Sequence, residues 1–139
     1  WSSELGPLSK ETPFHIRSRK RVLAGTSGAV TFFGTLAGLI GSLFIVLLGV
    51  CLFSFSPDHV VLFIVILTIA GLVGNIFDTI LGAYVQTYYE CPVCGSITEH
   101  SHHSGTATLK VAGLPFFNND TVNINCTLIG ALLGYFAFL

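Results

Sequence analysis

The sequence predicts an all-α membrane protein: a polytopic helical bundle with about three transmembrane helices and a small Cys/His loop. The chain of 139 residues is 52% hydrophobic and 9% charged, whereas soluble domains are about a quarter charged. No charged residue lies between Arg21 and Asp58, between Asp58 and Asp78, or after Asp120. Three stretches therefore reach the roughly 20 apolar residues that a membrane helix needs. We expect residues 1–139 to form a single integral-membrane domain.

The predicted spans are separated by one short and one long connection. The first span runs roughly from Gly28 to Phe55, the second from about Val60 to Tyr88, and the third from about Asp120 to Leu139. The short connection, SFSPDH, contains Pro57, which ends a helix. The long connection, residues 89–118, is polar. Because the chain opens with the polar segment WSSELGPLSK, begins with Trp and contains no Met, we expect it to be part of a longer protein.

The basic residues predict an orientation in the membrane. The run RSRKR, residues 17–21, flanks the first span, while SFSPDH contains neither Lys nor Arg. Cytoplasmic loops carry an excess of Lys and Arg. The N-terminal segment and the long loop are therefore predicted on the cytoplasmic side or its organellar equivalent. The net charge of -1 gives no reason to expect a nucleic-acid partner, and the oligomeric state is not predicted.

Each predicted span carries one stripe of small or polar residues at helical spacing. Glycines in such stripes are explained by close packing of membrane helices. Packing does not explain Asp78 or Asp120, because an ionisable group inside a bilayer is costly and marks a functional site by default. For Asp78, a buried, hydrogen-bonded structural carboxyl group is the alternative. The stripes comprise Ser27, Thr31, Thr35, Gly38, Ser42 and Gly49; Gly71, Asn75, Asp78, Thr79, Gly82 and Gln86; and Asp120, Asn123, Thr127, Gly130 and Gly134.

Polar residues from all three spans fall toward the same predicted membrane face. Carboxylates and amides near an interface suit a hard cation such as Mg²⁺, which is bound by one or two carboxylates together with substrate phosphates. The turn Gly25–Gly28, predicted to open a helix, would offer backbone N–H groups to an anion. The set comprises Glu4, Thr26, Ser27, Asp78, Gln86, Asn118, Asn119, Asp120 and Asn123.

The loop contains the segment Cys91-Pro-Val-Cys94-Gly. This has the shape of a zinc knuckle, in which Gly permits a tight turn around the metal. The nearby His100, His102 and His103 could complete a Cys₂His₂ set for structural zinc. A disulfide and a plain polar loop are the alternatives, although a stable disulfide is disfavoured on a cytoplasmic face.

Four segments carry a family resemblance. GTSGAVTFFGTLAGLIGS, GLVGNIFDTILGAYVQ and PFFNNDTVN, in that order, resemble motifs of the transmembrane protein 19 family, which includes the phytyl-phosphate kinase of tocopherol synthesis. The opening SSELGPLSK resembles the segment that, in relatives, follows an Asp-Thr pair near a helix end, and the resemblance implies that the chain is the C-terminal part of a longer polytopic protein. The resemblance implies transfer of a phosphoryl group from a nucleotide, CTP by analogy with related lipid kinases, to an isoprenyl monophosphate. A membrane, a nucleotide and a prenyl lipid are thus the implied partners.

The resemblance also implies site residues. Asp78 and Asp120 would serve as Mg²⁺ ligands or base, and Asn119 and Asn123 as orienting groups. The turn Gly25–Gly28 would hold phosphate. The matching positions are Glu4, Gly25, Thr26, Gly28, Asp78, Gln86, Asn119, Asp120 and Asn123; Ser27, Asn75 and Thr79 depart mildly from residues common in relatives. An ion-coupled transporter and a non-catalytic member of the family remain alternatives.

Overall fold

The computed structural model describes residues 1–53 and 59–137. Within these ranges the helices are α1 (Ser2–Leu5), α2 (Phe32–Leu52), α3 (Val60–Tyr84) and α4 (Asn119–Phe136). The strands are β1 (Phe14–His15), β2 (Lys20–Arg21), β3 (Ala29–Val30), β4 (Tyr88–Glu90), β5 (Ile97–Thr98), β6 (His102–His103), β7 (Thr106–Ala107) and β8 (Leu109–Ala112). Gly6–Leu8 forms a short 3-10 turn. Of the predicted connection SFSPDH, residues 54–58 lie outside the described ranges.

Two helices are long and apolar enough to cross a membrane. They are α2, with 21 residues, and α3, with 25 residues, and no other helix in the described ranges meets this standard. The predicted third span corresponds to α4, which has 18 residues. Its first turns carry Asn119, Asp120, Asn123 and Asn125, and these polar side chains lower its hydropathy. The structure therefore supports two membrane-capable helices and does not show a third span.

Helix α3 lies between α2 and α4 and runs antiparallel to both. On the α2 side, the Ser42 hydroxyl donates to the Thr68 carbonyl at 3.0 Å, and a side chain at Gly71 would collide with Ser42. On the α4 side, an added Cβ at Gly74 would lie 3.1 Å from the Cys126 carbonyl oxygen and 3.7 Å from the Gly130 Cα. The glycines thus allow the close helix approach expected of small residues in membrane interfaces.

The N-terminal segment packs against α2. The Trp1 ring stacks on Phe44 with a centroid distance of 5.7 Å, and an added Cβ at Gly41 would lie 3.1 Å from the Trp1 ring. Gly6 approaches Gly34 closely. Trp1 therefore lies roughly 14 Å along α2 from the start of that helix, at 1.5 Å per residue.

The all-α prediction is wrong outside the helices, because three small antiparallel sheets occupy the connections. Their strand orders are β2-β1-β3, β5-β4-β8 and β6-β7. Three of the eight strands precede α2 and five lie between α3 and α4, and their pairing satisfies backbone groups of these connections. Most strands are two residues long, too short for an alternating hydrophobic pattern to reveal them.

Helix boundaries also differ from the predicted spans. Helix α2 begins at Phe32 because Thr31 caps it: the Gly34 N–H donates to Thr31 Oγ1 at 2.9 Å, and the Phe32 N–H donates to Glu11 Oε2 at 3.2 Å. Helix α3 ends at Tyr84. The predicted continuation to Tyr88 fails because Thr87 leaves the helix and donates its N–H to the Phe117 carbonyl at 2.7 Å.

Candidate functional site

A cleft of about 1320 Å³ opens between α1, the Gly25–Gly28 turn, α2, α3 and α4. Its lining changes character along its length. Polar groups such as Glu4, Asp78 and Asn123 line one region, and apolar side chains such as Val46 and Leu67 line another. Leu67 lies 11 residues before Asp78 on α3, or about 17 Å further along the helix axis.

The structure brings most of the predicted site residues to this cleft. Three residues of the predicted polar set do not line it, and one of them is Asn118, whose side chain caps α4. Asp120 is exposed on the first turn of α4, and Gln86 is buried behind the turn with 1% of its surface exposed. The predicted residues that do line the cleft are Glu4, Gly25, Thr26, Ser27, Gly28, Asp78, Asn119 and Asn123.

The predicted helical stripes are confirmed over much of their length. On α3, Gly71, Asn75, Asp78 and Thr79 line the cleft. On α2 the lining includes Thr35, Gly38 and Ser42, and on α4 it includes Asn123, Thr127 and Gly130. Among the described residues outside its own stretch of α2, nothing lies within 4 Å of a Cβ added at Gly49. Asp78 also interacts with the buried Cys126 thiol of α4, so the carboxylate lies at the α3–α4 interface.

The start of α4 is positioned by the end of the loop. The Thr87 hydroxyl donates to the Leu114 carbonyl at 2.5 Å, and the Leu114 N–H donates to the Val85 carbonyl at 2.9 Å. Asn118 then caps α4 by accepting from the Thr121 N–H at 2.9 Å. Because this cap fixes the first helical residue, it fixes which side chains of α4 face the cleft. Asn119 and Asn123 face it and Asp120 does not.

The Gly25–Gly28 turn is pressed onto the end of α3. Gly28 has φ +76, and an added Cβ there would lie 2.5 Å from the Ala83 Cα. The Ser27 hydroxyl donates to Gln86 Oε1 at 2.7 Å. The Tyr88 hydroxyl lies 3.0 Å from the Ser27 carbonyl and 3.1 Å from the Gly82 carbonyl. These contacts hold the turn at one end of the cleft.

The prediction that this turn opens a helix is wrong, because β3 and the cap Thr31 come between the turn and α2. Within the turn, the Thr26 N–H donates to Leu23 and the Ala29 N–H donates to Thr26. The N–H groups of Ser27 and Gly28 donate to no hydrogen bond within residues 1–53 and 59–137. The turn thus retains two unused N–H donors. It does not stand at the N-terminus of a helix, however, so no helix dipole strengthens its attraction for an anion.

Gln86 holds an unusual position behind the turn. Its Oε1 is satisfied by Ser27, but its Nε2 is buried and has no hydrogen-bond partner. An unsatisfied buried donor costs about 1–3 kcal/mol. Gln86 therefore does not line the cleft as predicted. It is buried behind the Gly25–Gly28 turn, and its Nε2 donor has no partner.

The electrostatic character of the cleft is acidic. Glu4, Asp78 and Glu99 line it, and no Lys or Arg of the described ranges does so. Acidic lining repels a phosphate unless a cation intervenes. In the part of the chain that the structure describes, no three His, Cys, Asp or Glu side chains are grouped closely enough to hold a metal ion. One or two carboxylates are nevertheless a sufficient protein share of a Mg²⁺ site that substrate phosphates complete.

Glu99 is a site residue that the sequence analysis missed. It follows β5, and of residues 89–118, all of which the structure describes, it alone lines the cleft. Burial raises the pKa of the Glu99 carboxyl, and the Gln86 side chain acts in the opposite direction. Gln86 is thus near Glu99 without meeting hydrogen-bond geometry. No local sequence pattern signals this position, because it depends on how the loop folds back.

The Cys/His loop forms the knuckle but does not gather the histidines. The Gly95 N–H donates to the Cys91 carbonyl at 2.8 Å, and the Cys91 N–H donates to the Ser96 carbonyl at 3.0 Å. Gly95 has φ +68, as the predicted tight turn requires. Cys91 is buried and Cys94 is exposed. The strands β6 and β7 hold His102 and His103 in a separate hairpin, so the described residues do not assemble a complete zinc set.

Comparisons with known proteins agree with the membrane character of the chain. Residues 1–131 match the family described as integral membrane protein DUF92. An uncharacterized membrane protein of Methanocaldococcus jannaschii is 52% identical over 54 residues, which is 39% of this chain and 23% of that protein. The matched segment thus spans less than a quarter of that relative's length. No solved structure matches the chain. Since the family match covers nearly the whole sequence, the chain belongs to the DUF92 family of integral membrane proteins.

Proposed function

We propose that this chain is part of a membrane-embedded kinase that transfers a phosphoryl group from a nucleotide, with CTP as the first candidate, to an isoprenyl monophosphate such as phytyl phosphate. The observation that supports this proposal is that a single cleft has both a polar part and an apolar part. Its polar part suits a phosphate with a bound cation, and its apolar part, with Ile45, Val46 and Leu67, suits a prenyl chain. An isoprenyl phosphate has this same division between a charged head and an apolar tail.

In the proposed reaction, an oxygen of the lipid monophosphate attacks the γ-phosphorus of the nucleotide. The bond from that phosphorus to the β–γ bridging oxygen breaks, and the products are an isoprenyl diphosphate and a nucleoside diphosphate. Such a transfer needs positioning and charge stabilisation more than covalent chemistry from the protein. The unused N–H groups of Ser27 and Gly28 would orient phosphate oxygens. Asn119 and Asn123 would donate to phosphate from α4.

Asp78 is the proposed protein ligand for Mg²⁺. A cation there would neutralise phosphate charge, which the cleft cannot do with Lys or Arg side chains from the described ranges. Asp120 was expected from the sequence to be a Mg²⁺ ligand or base. It is not assigned as a metal ligand in this proposal, because it lies outside the cleft lining. Glu4 lines the cleft from α1 and would act on the same phosphates through water or the cation.

The proposed topology is multi-pass. Helices α2 and α3 cross the membrane, and α4 packs along α3 as a third, more polar span. The N-terminal segment and the Cys/His loop then lie at one membrane face, proposed as the cytoplasmic face or its organellar equivalent because RSRKR is there.

Structural zinc is proposed in a restricted form. Cys91 and Cys94 supply two thiolate ligands, and His100, His102 and His103 are candidates for the others after a rearrangement of the β6–β7 hairpin. Metal analysis of the purified full-length protein tests this: the wild type would contain one zinc per chain and the Cys91→Ser, Cys94→Ser double variant none. A metal-free wild type would exclude structural zinc.

An ion-coupled transporter is the second candidate. The observation that favours it is the depth of the cleft, since the lining extends from Asp78 to Leu67. Transport requires a binding site near the bilayer midplane. Proteoliposome uptake of a labelled cation distinguishes the two functions, because a kinase produces no uptake.

The kinase is tested with the full-length protein in detergent. The protein is incubated with Mg²⁺, a γ-labelled nucleotide and either phytyl or geranylgeranyl monophosphate, and the labelled lipid diphosphate is measured. We expect product with at least one nucleotide, and none when dodecyl phosphate replaces the isoprenyl lipid or when Mg²⁺ is removed. If folded protein forms no product with any of the four nucleoside triphosphates, the kinase proposal is wrong.

A further inference from the structure

A second cavity, of about 750 Å³, lies at the start of α2. Lys10 and Arg21 line it, and we call it the basic pocket. Val30, Thr31 and Thr35 border both the basic pocket and the cleft, whereas the two cationic side chains line the basic pocket alone. The basic pocket therefore adjoins the acidic cleft but has the opposite charge.

The sheet β2-β1-β3 supplies one wall of the basic pocket. Phe14 on β1 pairs with Arg21 on one side and with Val30 on the other. Residues directly opposite each other in antiparallel strands share a face of the sheet, and all three line the pocket. The next register pair, His15 and Lys20, projects from the opposite face, because successive side chains of a strand alternate.

Hydrogen bonds hold the polar groups of the basic pocket. Arg21 Nη1 donates to the Thr12 carbonyl at 2.5 Å, and a guanidinium has further N–H donors to offer. Glu11 also lines the pocket, but its Oε2 accepts from the Phe32 N–H at 3.2 Å. Within residues 1–53 and 59–137, neither Lys10 nor Arg21 forms an ion pair. The pocket thus presents two unpaired cations beside one carboxylate that is already engaged.

The position of the basic pocket relative to α2 indicates what it would meet. Helix α2 has 21 residues and rises about 30 Å, which matches the hydrocarbon thickness of a bilayer. A crossing by α2 therefore places its first turn at the level of the lipid headgroups. Phe32 lines the pocket on this turn and is 77% exposed, so an apolar surface continues from the cationic groups toward the bilayer.

We propose that the basic pocket binds the headgroup phosphate of an anionic phospholipid, with Lys10 and Arg21 as its charged contacts and Phe32 beside the acyl chains. Basic pockets at the cytoplasmic ends of membrane helices bind anionic headgroups in this way. A soluble phosphate would use the same cations but not the apolar surface of Phe32, which favours the lipid. The site does not rest on the proposed kinase function.

The test is native mass spectrometry of the full-length protein in detergent, with phosphatidylglycerol and phosphatidylcholine of identical acyl chains. We expect the wild type to retain phosphatidylglycerol in preference to phosphatidylcholine. Lys10→Gln and Arg21→Gln should each weaken phosphatidylglycerol binding about fivefold, and the double variant about 25-fold. Lys20→Gln is the matched control, because it removes the same charge beside Arg21 but from the other face of the sheet, and it should bind like the wild type.

Equal retention of the two lipids by the wild type would overturn the proposal. Equal losses in Lys20→Gln and Arg21→Gln would do the same, because the attraction would then come from the basic run as a whole. Lys10→Gln leaves the Arg21–Thr12 contact in place and decides the matter should Arg21→Gln fold poorly. Wild-type affinity in folded Lys10→Gln would contradict the assigned contact.

An excess of inorganic phosphate distinguishes the lipid from a soluble anion. We expect phosphatidylglycerol to remain bound to the wild type, and displacement by inorganic phosphate would assign the pocket to a soluble phosphate instead. These measurements contain neither nucleotide nor isoprenyl lipid. A protein that binds phosphatidylglycerol through Lys10 and Arg21 but lacks kinase activity would therefore reject the reaction and retain the lipid site.

Discussion

Gly28 and Ala83 are packed so closely that no side chain fits between them. An added Cβ at Gly28 would lie 2.5 Å from both the Cα and the Cβ of Ala83. This contact joins the turn before α2 to the last turn of α3, and Ala83 is 3% exposed. The turn that borders the cleft is therefore attached to the helix that carries Asp78.

Gly28→Ala is expected to destabilise the protein more than Gly25→Ala does. Both glycines have positive φ, +76 and +85, and an L-residue there costs roughly 1–2 kcal/mol. Gly28→Ala adds a backbone collision, whereas no atom of the described ranges lies within 4 Å of an added Cβ at Gly25. Thermal unfolding in detergent measures the difference. Equal melting temperatures for the two variants would show that the Gly28–Ala83 contact is absent.

Tyr88→Phe is expected to lower stability by about 1 kcal/mol, the typical net value of a hydrogen bond. The Tyr88 hydroxyl contacts the carbonyl oxygens of Ser27 and Gly82. Tyr89→Phe is the control, because the neighbouring hydroxyl makes no such contact within the described ranges. Amide hydrogen exchange around residues 25–28 should rise in Tyr88→Phe alone. Increased exchange in both variants would contradict the assigned contact.

Gly74→Leu is expected to separate α3 from α4 and to cost about 1–3 kcal/mol, as overpacking does. An added Cβ at Gly74 would already lie 3.1 Å from the Cys126 carbonyl oxygen. Gly49→Leu on α2 is the control, because nothing in residues 1–53 and 59–137 lies within 4 Å of an added Cβ there. No loss of stability is expected from it, since replacing Gly inside a helix favours the helix by up to about 1 kcal/mol. Comparable melting temperatures for the two variants would contradict the α3–α4 packing.

Cys94 is expected to be alkylated at a lower pH than an ordinary thiol. The Ser96 hydroxyl lies 3.1 Å from the Cys94 Sγ and holds the pKa of that thiol below its usual value. Because the thiolate is the nucleophile, a lowered pKa gives more reactive species at neutral pH. In Ser96→Ala the pKa should rise, and the pH profile of iodoacetamide labelling should move to higher pH.

Peptide mapping by mass spectrometry follows Cys94 separately from the other cysteines. Thr98→Ala, a change at another hydroxyl of the same hairpin, is the control and should leave the profile unchanged. The assigned role of Ser96 is wrong if the Ser96→Ala profile coincides with that of the wild type.

The polar stripe of α3 could be predicted from the sequence because helical periodicity is a local property. Once residues 71–79 form a helix, Gly71, Asn75, Asp78 and Thr79 must share a face, and they line the cleft. The rotation of α4 about its own axis was harder to predict. Its face depends on the Asn118 cap, and a shift of one residue rotates the helix by about 100°, which replaces Asp120 by Asn119.

Glu99 could not be predicted, because its place depends on non-local pairing. The β4–β5 register and the closure of residues 113–117 onto α3 decide where it lies. Two-residue strands give no periodic signal. The N-terminal segment was missed for a similar reason: its polar composition does not reveal that Trp1 packs beside Gly41 and Phe44.

The most direct test of the account compares Asp78→Asn with Asp120→Asn in the isoprenyl-phosphate kinase assay, using the full-length protein in detergent. Of these two residues, only Asp78 lines the cleft. Asp78→Asn is therefore expected to reduce diphosphate formation by about 100-fold or more, as loss of a charge-stabilising group does. Asp120→Asn should retain a readily measured rate. Wild-type activity in folded Asp78→Asn would contradict the assignment of this cleft as the site of phosphoryl transfer.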